Sequence, residues 1–244
     1  MTRLALAAFF AAIPLCAAAA PPDTAKAAVL YREGKFEEAG QVYYAVAAAQ
    51  PGNPYAHYNL GNTYFKASRL GRAIASYQRA YRLLPRDADI RYNLALALKL
   101  SGQTLTPAGV PDALYRAYYS LSSAELAGLF WLFVWLLSAA GLAAAFAKEP
   151  RPAARKTLAV SAMLAALFGG WALARAASGY SSPGVVVDGT AELRGGPGDN
   201  FNASATVPEG RMVDIIQTGG DWREISVRAE NIKGWVRKPS VEPL

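Results

Sequence analysis

The 244-residue chain has one cysteine, Cys16, and one histidine, His57. With one of each, a Cys/His zinc site within one chain is excluded. An internal disulfide is excluded too, and no Cys–His catalytic pair exists beyond the N-terminal stretch. Charge is also sparse: 18% of residues are charged against 53% hydrophobic. That balance is too apolar for a disordered chain and points to membrane segments. The net charge of +7 is spread along the chain, part of it flanking an apolar run. A nucleic-acid binder concentrates its cations on one face, so nucleic acid is not expected as a partner. No constellation of acids, bases and nucleophiles stands out, so catalysis, metal and cofactor are not expected. His57 reads as an ordinary, partly exposed residue.

Long uncharged runs are what the chain does have. Residues 1–20 follow the order of a secretory signal peptide: Arg3, an apolar Leu4–Leu15, then small residues Ala17–Ala20 before Pro21-Pro22. An uncleaved anchor is the alternative. Ile13-Pro14-Leu15 lack the small residue that a lipidation site carries before its cysteine, which argues against lipid on Cys16. Two further runs, expected as transmembrane helices over 124–147 and 157–177, are long enough to cross a bilayer. The connector 148–156 carries Lys148, Arg151, Arg155 and Lys156 against Glu149. Short basic loops stay cytoplasmic, which puts both long flanking regions on the far, periplasmic side. An exported N-terminus gives the same topology independently.

Between these features the sequence repeats itself at 34 residues. Tyr58, Asn59 and Leu60 recur as Tyr92, Asn93 and Leu94; Gly34, Ala39, Tyr43 and Pro51 recur as Ser68, Ala73, Tyr77 and Pro85. That period and the run Leu60, Gly61, Tyr64, Ala73, Tyr77, Ala80, Pro85 resemble tetratricopeptide (TPR) helix pairs. Small residues stand where helices cross, tyrosines fill between them, and proline ends the second helix. The resemblance implies an α-helical solenoid of about 2.5 repeats over 21–105. It departs at Pro107 and Pro111, and 106–123 is either a linker or a capping amphipathic helix. TPR arrays bind partner segments on the first helix of each repeat. The positions implied here are Tyr55, Tyr58, Asn59, Asn62, Phe65, Lys66, Tyr92, Asn93 and Lys99, with Asp89 and Leu96 beside them. Tyr58, Asn62 and Phe65 share one helical face. Whether Tyr58 and Phe65 meet a ligand or only neighbouring helices stays open.

From 183 to 244 the texture changes to short alternating stretches punctuated by glycine. Strands are expected at Val185–Val187, Ala191–Leu193, Met212–Gln217, Arg223–Val227 and Lys233–Val236, enough for a small β-barrel. Glu192–Gly198 (ELRGGPG), Pro208–Val213 (PEGRMV), Gly220–Ile225 (GDWREI) and Lys233–Val236 (KGWV) resemble, in order, the motifs of bacterial SH3 (SH3b) domains. Some of those bind cell-wall peptides and others only dock on neighbours. Arg194, Asp199, Trp222 and Trp235 are the candidate ligand face, the tryptophans doubling as core.

The fold class expected is thus multidomain α plus all-β: a TPR solenoid, two transmembrane helices and an SH3-like barrel. This order resembles the BatE-type proteins of bacterial aerotolerance operons. The resemblance implies a non-enzymatic scaffold in the cell membrane, in company with von Willebrand A-domain membrane proteins and a MoxR-type ATPase, in stress tolerance. Peptidoglycan binding through the SH3b domain is the alternative.

Overall fold

The computed structural model describes residues 24–107, 109–146, 152–178, 182–227 and 230–244. The expected signal peptide and residues 147–151 of the connector region lie outside the described residues.

Five helices build the solenoid: α1 (Thr24–Arg32), α2 (Phe36–Ala49), α3 (Pro54–Lys66), α4 (Leu70–Leu83) and α5 (Ala88–Leu100). The 34-residue period shows in the backbone as well as in the residue types. The turn after each first helix carries one left-handed residue: Gly34 (φ 78°), Ser68 (φ 60°) and Gly102 (φ 71°). The N-caps recur at the same spacing. Asn53 accepts hydrogen bonds from the backbone of Tyr55 and Ala56, and Asp87 does so from Asp89 and Ile90. A Cβ at Gly61 would stand 2.5 Å from the Tyr77 ring, so only glycine lets α3 and α4 close. Ala73, Ile74, Ala80, Ile90 and Leu94 are fully buried between the helices.

The third repeat stops after α5, as Pro107 and Pro111 foretell. A short helix, α6 (Asp112–Tyr118), follows and ends before Ser122. Two of its tyrosines meet the Tyr119 ring at its end: Tyr115 tilted at 4.6 Å and Tyr118 edge-on at 4.9 Å between ring centroids. Helix α7 (Ser123–Phe146) then opens with a reciprocal cap. The Ser122 N–H donates to the Glu125 carboxylate at 2.8 Å, and the Glu125 N–H donates to Ser122 Oγ at 3.2 Å.

Helices α7 and α8 (Pro152–Ser178) are both long and apolar enough to cross a membrane. They form an antiparallel hairpin. Phe133 stacks on Phe168 at 5.7 Å, and Gly169 leaves room for the Phe130 ring. Helix α8 begins five residues before the expected 157, because proline suits the first helical position. Arg155 and Lys156 therefore belong to its opening turns and not to a loop.

The chain returns as seven antiparallel strands: β1 (Ser182–Val186), β2 (Thr190–Arg194), β3 (Ala203–Pro208), β4 (Met212–Gly219), β5 (Trp222–Val227), β6 (Ile232–Arg237) and β7 (Val241–Pro243). Their order is β3-β2-β6-β5-β4-β1-β7, around a core of Val186, Leu193, Val207, Ile225 and Val236. Five strands were expected. The two extra ones, β3 and β7, lack an alternating pattern long enough to announce them.

This sheet docks on the solenoid. Val185 joins the core of α4 and α5. The Gly71 N–H donates to the Glu209 carboxylate at 2.8 Å. Gln103 donates to the Gly210 carbonyl at 2.8 Å and accepts from the Met212 N–H at 3.0 Å. Arg79 reaches Glu242 and the Pro243 carbonyl. Strand β1 and the turn after Pro208 thus cover the face of α4 where a second helix of the third repeat would otherwise stack.

Candidate functional site

Helices α3 and α5 lie side by side as first helices of consecutive repeats, and the groove between them is built from a polar network. Asn93 donates through Nδ2 both to the Tyr58 hydroxyl and to Asn62 Oδ1, each at 3.0 Å. The Tyr77 hydroxyl donates to the same Asn62 Oδ1 at 2.8 Å. Burial pushes the Tyr77 phenol well above its ordinary pKa, so it stays a donor at any physiological pH. Tyr58 leans on Tyr77 with ring centroids 6.0 Å apart. Asn93 Nδ2 and Asn62 Oδ1 are thus each engaged twice, and the two tyrosine hydroxyls once each.

The network leaves two groups over. Asn93 has spent both amide hydrogens and Asn62 Oδ1 accepts twice, so Asn62 Nδ2 and Asn93 Oδ1 remain, without a partner among the described residues. One is a donor and the other an acceptor, the pair that a peptide unit needs. They sit in an open cavity of about 320 Å³, which Phe65, Lys66, Leu96 and Tyr31 also line. Its walls are aromatic and aliphatic, with one cation at the rim.

Of the expected groove residues, Tyr58, Asn62, Phe65, Lys66 and Asn93 line this cavity, and Asn59, Tyr55, Tyr92 and Lys99 do not. Asn59 is the repeat-equivalent of Asn93, but the preceding repeat offers Thr24 and Ala28 where Tyr58 and Asn62 stand. Tyr55 is exposed, its hydroxyl 3.5 Å from the Asp87 carboxylate. Tyr92 is 68% exposed, and Lys99 is exposed on the far half of α5. Tyr77 and Tyr31 are the lining residues that sequence reasoning missed. Tyr77 reads as inter-helix filler, and only the Asn62 contact reveals its second task. His57, expected to be partly exposed, is 93% buried instead, since its relative exposure is 7%. It packs at the α2–α3 turn, its Nε2 3.0 Å from the Pro51 carbonyl.

In the β-sheet, two of the four candidate residues, Trp222 and Asp199, meet at Arg237, which the sequence did not single out. Its guanidinium lies 5.1 Å over the Trp222 ring and pairs with Asp199. Arg194 works within the domain: it donates to the carbonyls of Asp199 and Phe201 at 3.1 and 2.7 Å and pairs with Glu192. It pins the Gly195–Asn202 loop. Trp235, half-buried, lies opposite Arg194 in the β2–β6 register. Gly234 beside it is required, because a Cβ there would stand 2.9 Å from the Arg194 carbonyl.

A second, larger cleft of about 710 Å³ runs between the solenoid and the sheet, with Tyr44, Tyr64, Arg72, Arg79, Lys238 and Glu242 among its walls. No group of three or more potential metal-ligating side chains occurs among the described residues.

Comparison with known families agrees with this architecture. Residues 30–75 match the tetratricopeptide repeat, and residues 61–102 match a second TPR repeat model. A search of curated proteins gives no match to the chain. Residues 187–243 match the bacterial SH3 domain, so the chain joins TPR repeats to a bacterial SH3 domain through two helices of membrane-spanning length.

Proposed function

We propose that this protein is a membrane-anchored adaptor without catalytic function, which holds an extended segment of a partner protein in the α3–α5 groove. The observation that carries the reading is the leftover donor and acceptor on Asn62 and Asn93, fixed by Tyr58 and Tyr77 inside an aromatic-walled cavity. Preorganised polar groups lower the ordering cost of capturing a chain. Lys148, Arg151, Arg155 and Lys156 keep this end of the hairpin cytoplasmic, and both folded units are periplasmic. The whole-chain resemblance to BatE-type proteins extends the reading to the partners: von Willebrand A-domain membrane proteins of the same operon, in a stress-tolerance complex.

In-cell crosslinking and affinity capture of the full chain tests this. The Tyr58→Ala/Asn62→Ala variant loses the captured membrane proteins. Capture undiminished in that folded variant overturns the groove reading. Orientation has its own test. Cys16 is the single cysteine, so a cysteine introduced at Ser204 reacts with an impermeant maleimide in intact cells if the SH3b domain is outside.

The match of residues 187–243 to bacterial SH3 domains favours a second reading, peptidoglycan binding. Sedimentation of the detergent-solubilised full chain with purified sacculi tests it. A Trp235→Ala variant then fails to co-sediment while Tyr58→Ala still does; absence of the wild type from the pellet sinks it.

A further inference from the structure

A small cavity of about 240 Å³ opens where the solenoid meets the hairpin, lined by Tyr81, Pro85, Arg86, Arg91, Arg116 and Ser120. Three guanidinium groups meet there from three elements: the α4–α5 turn, α5 and α6. Arg86 is engaged, donating to the Ser120 carbonyl at 3.1 Å and pairing with Glu125. Among the described residues, Arg116 donates to a backbone oxygen alone, that of Asp112 at 3.4 Å. Neither Arg91 nor Arg116 has a carboxylate partner among the described residues. Two uncompensated guanidiniums around one small cavity form a site for a compact anion, and the planar fork suits phosphate oxygens.

The cavity's level relative to the apolar hairpin is also fixed. Ser120 lies three residues before α7. Arg175, near the end of α8, donates to the Leu121 carbonyl and lies 5.1 Å over the Tyr119 ring. Tyr118 lies 6.2 Å from Trp171. Tyrosine, tryptophan and arginine cluster where hydrocarbon gives way to headgroups. The cavity sits in that band.

We infer that Arg91 and Arg116 bind the phosphodiester headgroup of an anionic phospholipid, seating the solenoid on the bilayer surface. The inference rests on the reading that α7 and α8 span the membrane.

Native mass spectrometry of the full chain in detergent, titrated with phosphatidylglycerol or phosphatidylcholine, tests it. Bound phosphatidylglycerol falls about tenfold in Arg91→Ala/Arg116→Ala, while phosphatidylcholine adducts are unchanged. Arg91→Lys/Arg116→Lys recovers part of the binding, which separates charge from folding. Equal phosphatidylglycerol retention by wild type and the alanine variant overturns the site. Inorganic phosphate that displaces the lipid at millimolar concentration overturns the lipid as ligand in favour of free phosphate. Alkaline extraction of cell membranes separates the premise from the inference. A chain released by alkali overturns the spanning reading and the lipid site together. A chain that stays, with unselective lipid binding, overturns the site alone.

Discussion

The backbone N–H of Gly71 and the carboxylate of Glu209, 138 residues apart in sequence, are joined by a 2.8 Å hydrogen bond. The bond exists because position 71 has no side chain: a Cβ would stand 2.2 Å from the Val186 carbonyl oxygen. Gly71→Ala therefore pushes the SH3b sheet off α4. The expected loss is about 2–3 kcal/mol of docking stability, read as a lower urea midpoint and faster proteolysis between α8 and β1. Glu209→Gln keeps an acceptor and loses about 0.5–1.5 kcal/mol. Unchanged unfolding of Gly71→Ala would show that the docked face is not part of the folded unit.

Ser68 holds a left-handed backbone (φ 60°) at the position where the neighbouring repeats have Gly34 and Gly102. A Cβ in that conformation costs about 1–2 kcal/mol. Ser68→Gly thus stabilises the solenoid by about 0.5–1 kcal/mol after the entropic cost of glycine. Thermal unfolding monitored by circular dichroism reads this directly, and a lower midpoint contradicts it.

Asn93→Ala removes two hydrogen bonds at once and leaves Tyr58 without its donor. A loss of about 1–3 kcal/mol is expected, together with weaker partner capture. Asn59→Ala, at the equivalent position one repeat earlier, changes both much less. Equal effects of the two substitutions would remove Asn93 from its special place.

The Arg86–Glu125 pair is half-exposed on both sides, so its direct contribution is small, about 0–1 kcal/mol. Its effect is positional. Arg86→Ala frees the start of α7, and hydrogen exchange of the Ser120–Glu125 amides speeds up while the α3–α4 amides are unaffected. Protection unchanged at 120–125 would count against it.

Alkaline stability follows from the tyrosines. Burial raises the phenol pKa of Tyr64, Tyr77, Tyr81 and Tyr115 above the ordinary value. The folded state therefore favours the neutral phenol. That stability is fully present below the unfolded pKa of about 10 and is lost as pH rises from there through the folded values. Urea titrations are expected to give a flat plateau from about pH 7 to 9 and a decline above about pH 10. Tyr77→Phe is less stable at neutral pH and declines less steeply. A parallel decline would show that Tyr77 is not one of the groups responsible.

Much of this fold is legible because local chemistry repeats. The spacing of Tyr58-Asn59-Leu60 against Tyr92-Asn93-Leu94 gives the helix pairs, and uncharged runs give α7 and α8. The groove is half legible. Asn62 and Phe65 lie on a readable face, but Tyr77 enters from a second helix, and which asparagine matters depends on a neighbour one repeat away. The docking of the two units leaves no periodic trace, since Gln103, Glu209 and Glu242 are polar residues far apart in the chain. Strand β3 is equally silent, because Ala203–Pro208 has a single buried residue, Val207.

The apolar α7–α8 hairpin is inserted between the solenoid and the sheet that covers its last face. During synthesis, α4 and α5 emerge long before β1 and Glu209 do, and the apolar face around Ile74 and Leu98 stays open in that interval. It closes only once α7 and α8 have been made and the chain has come back to the solenoid. If α7 and α8 cross a bilayer as proposed, native packing of the repeats thereby reports that both crossings have succeeded. On that proposal, a molecule with a failed second crossing leaves its repeats unsealed, an exposed surface that chaperones and proteases recognise.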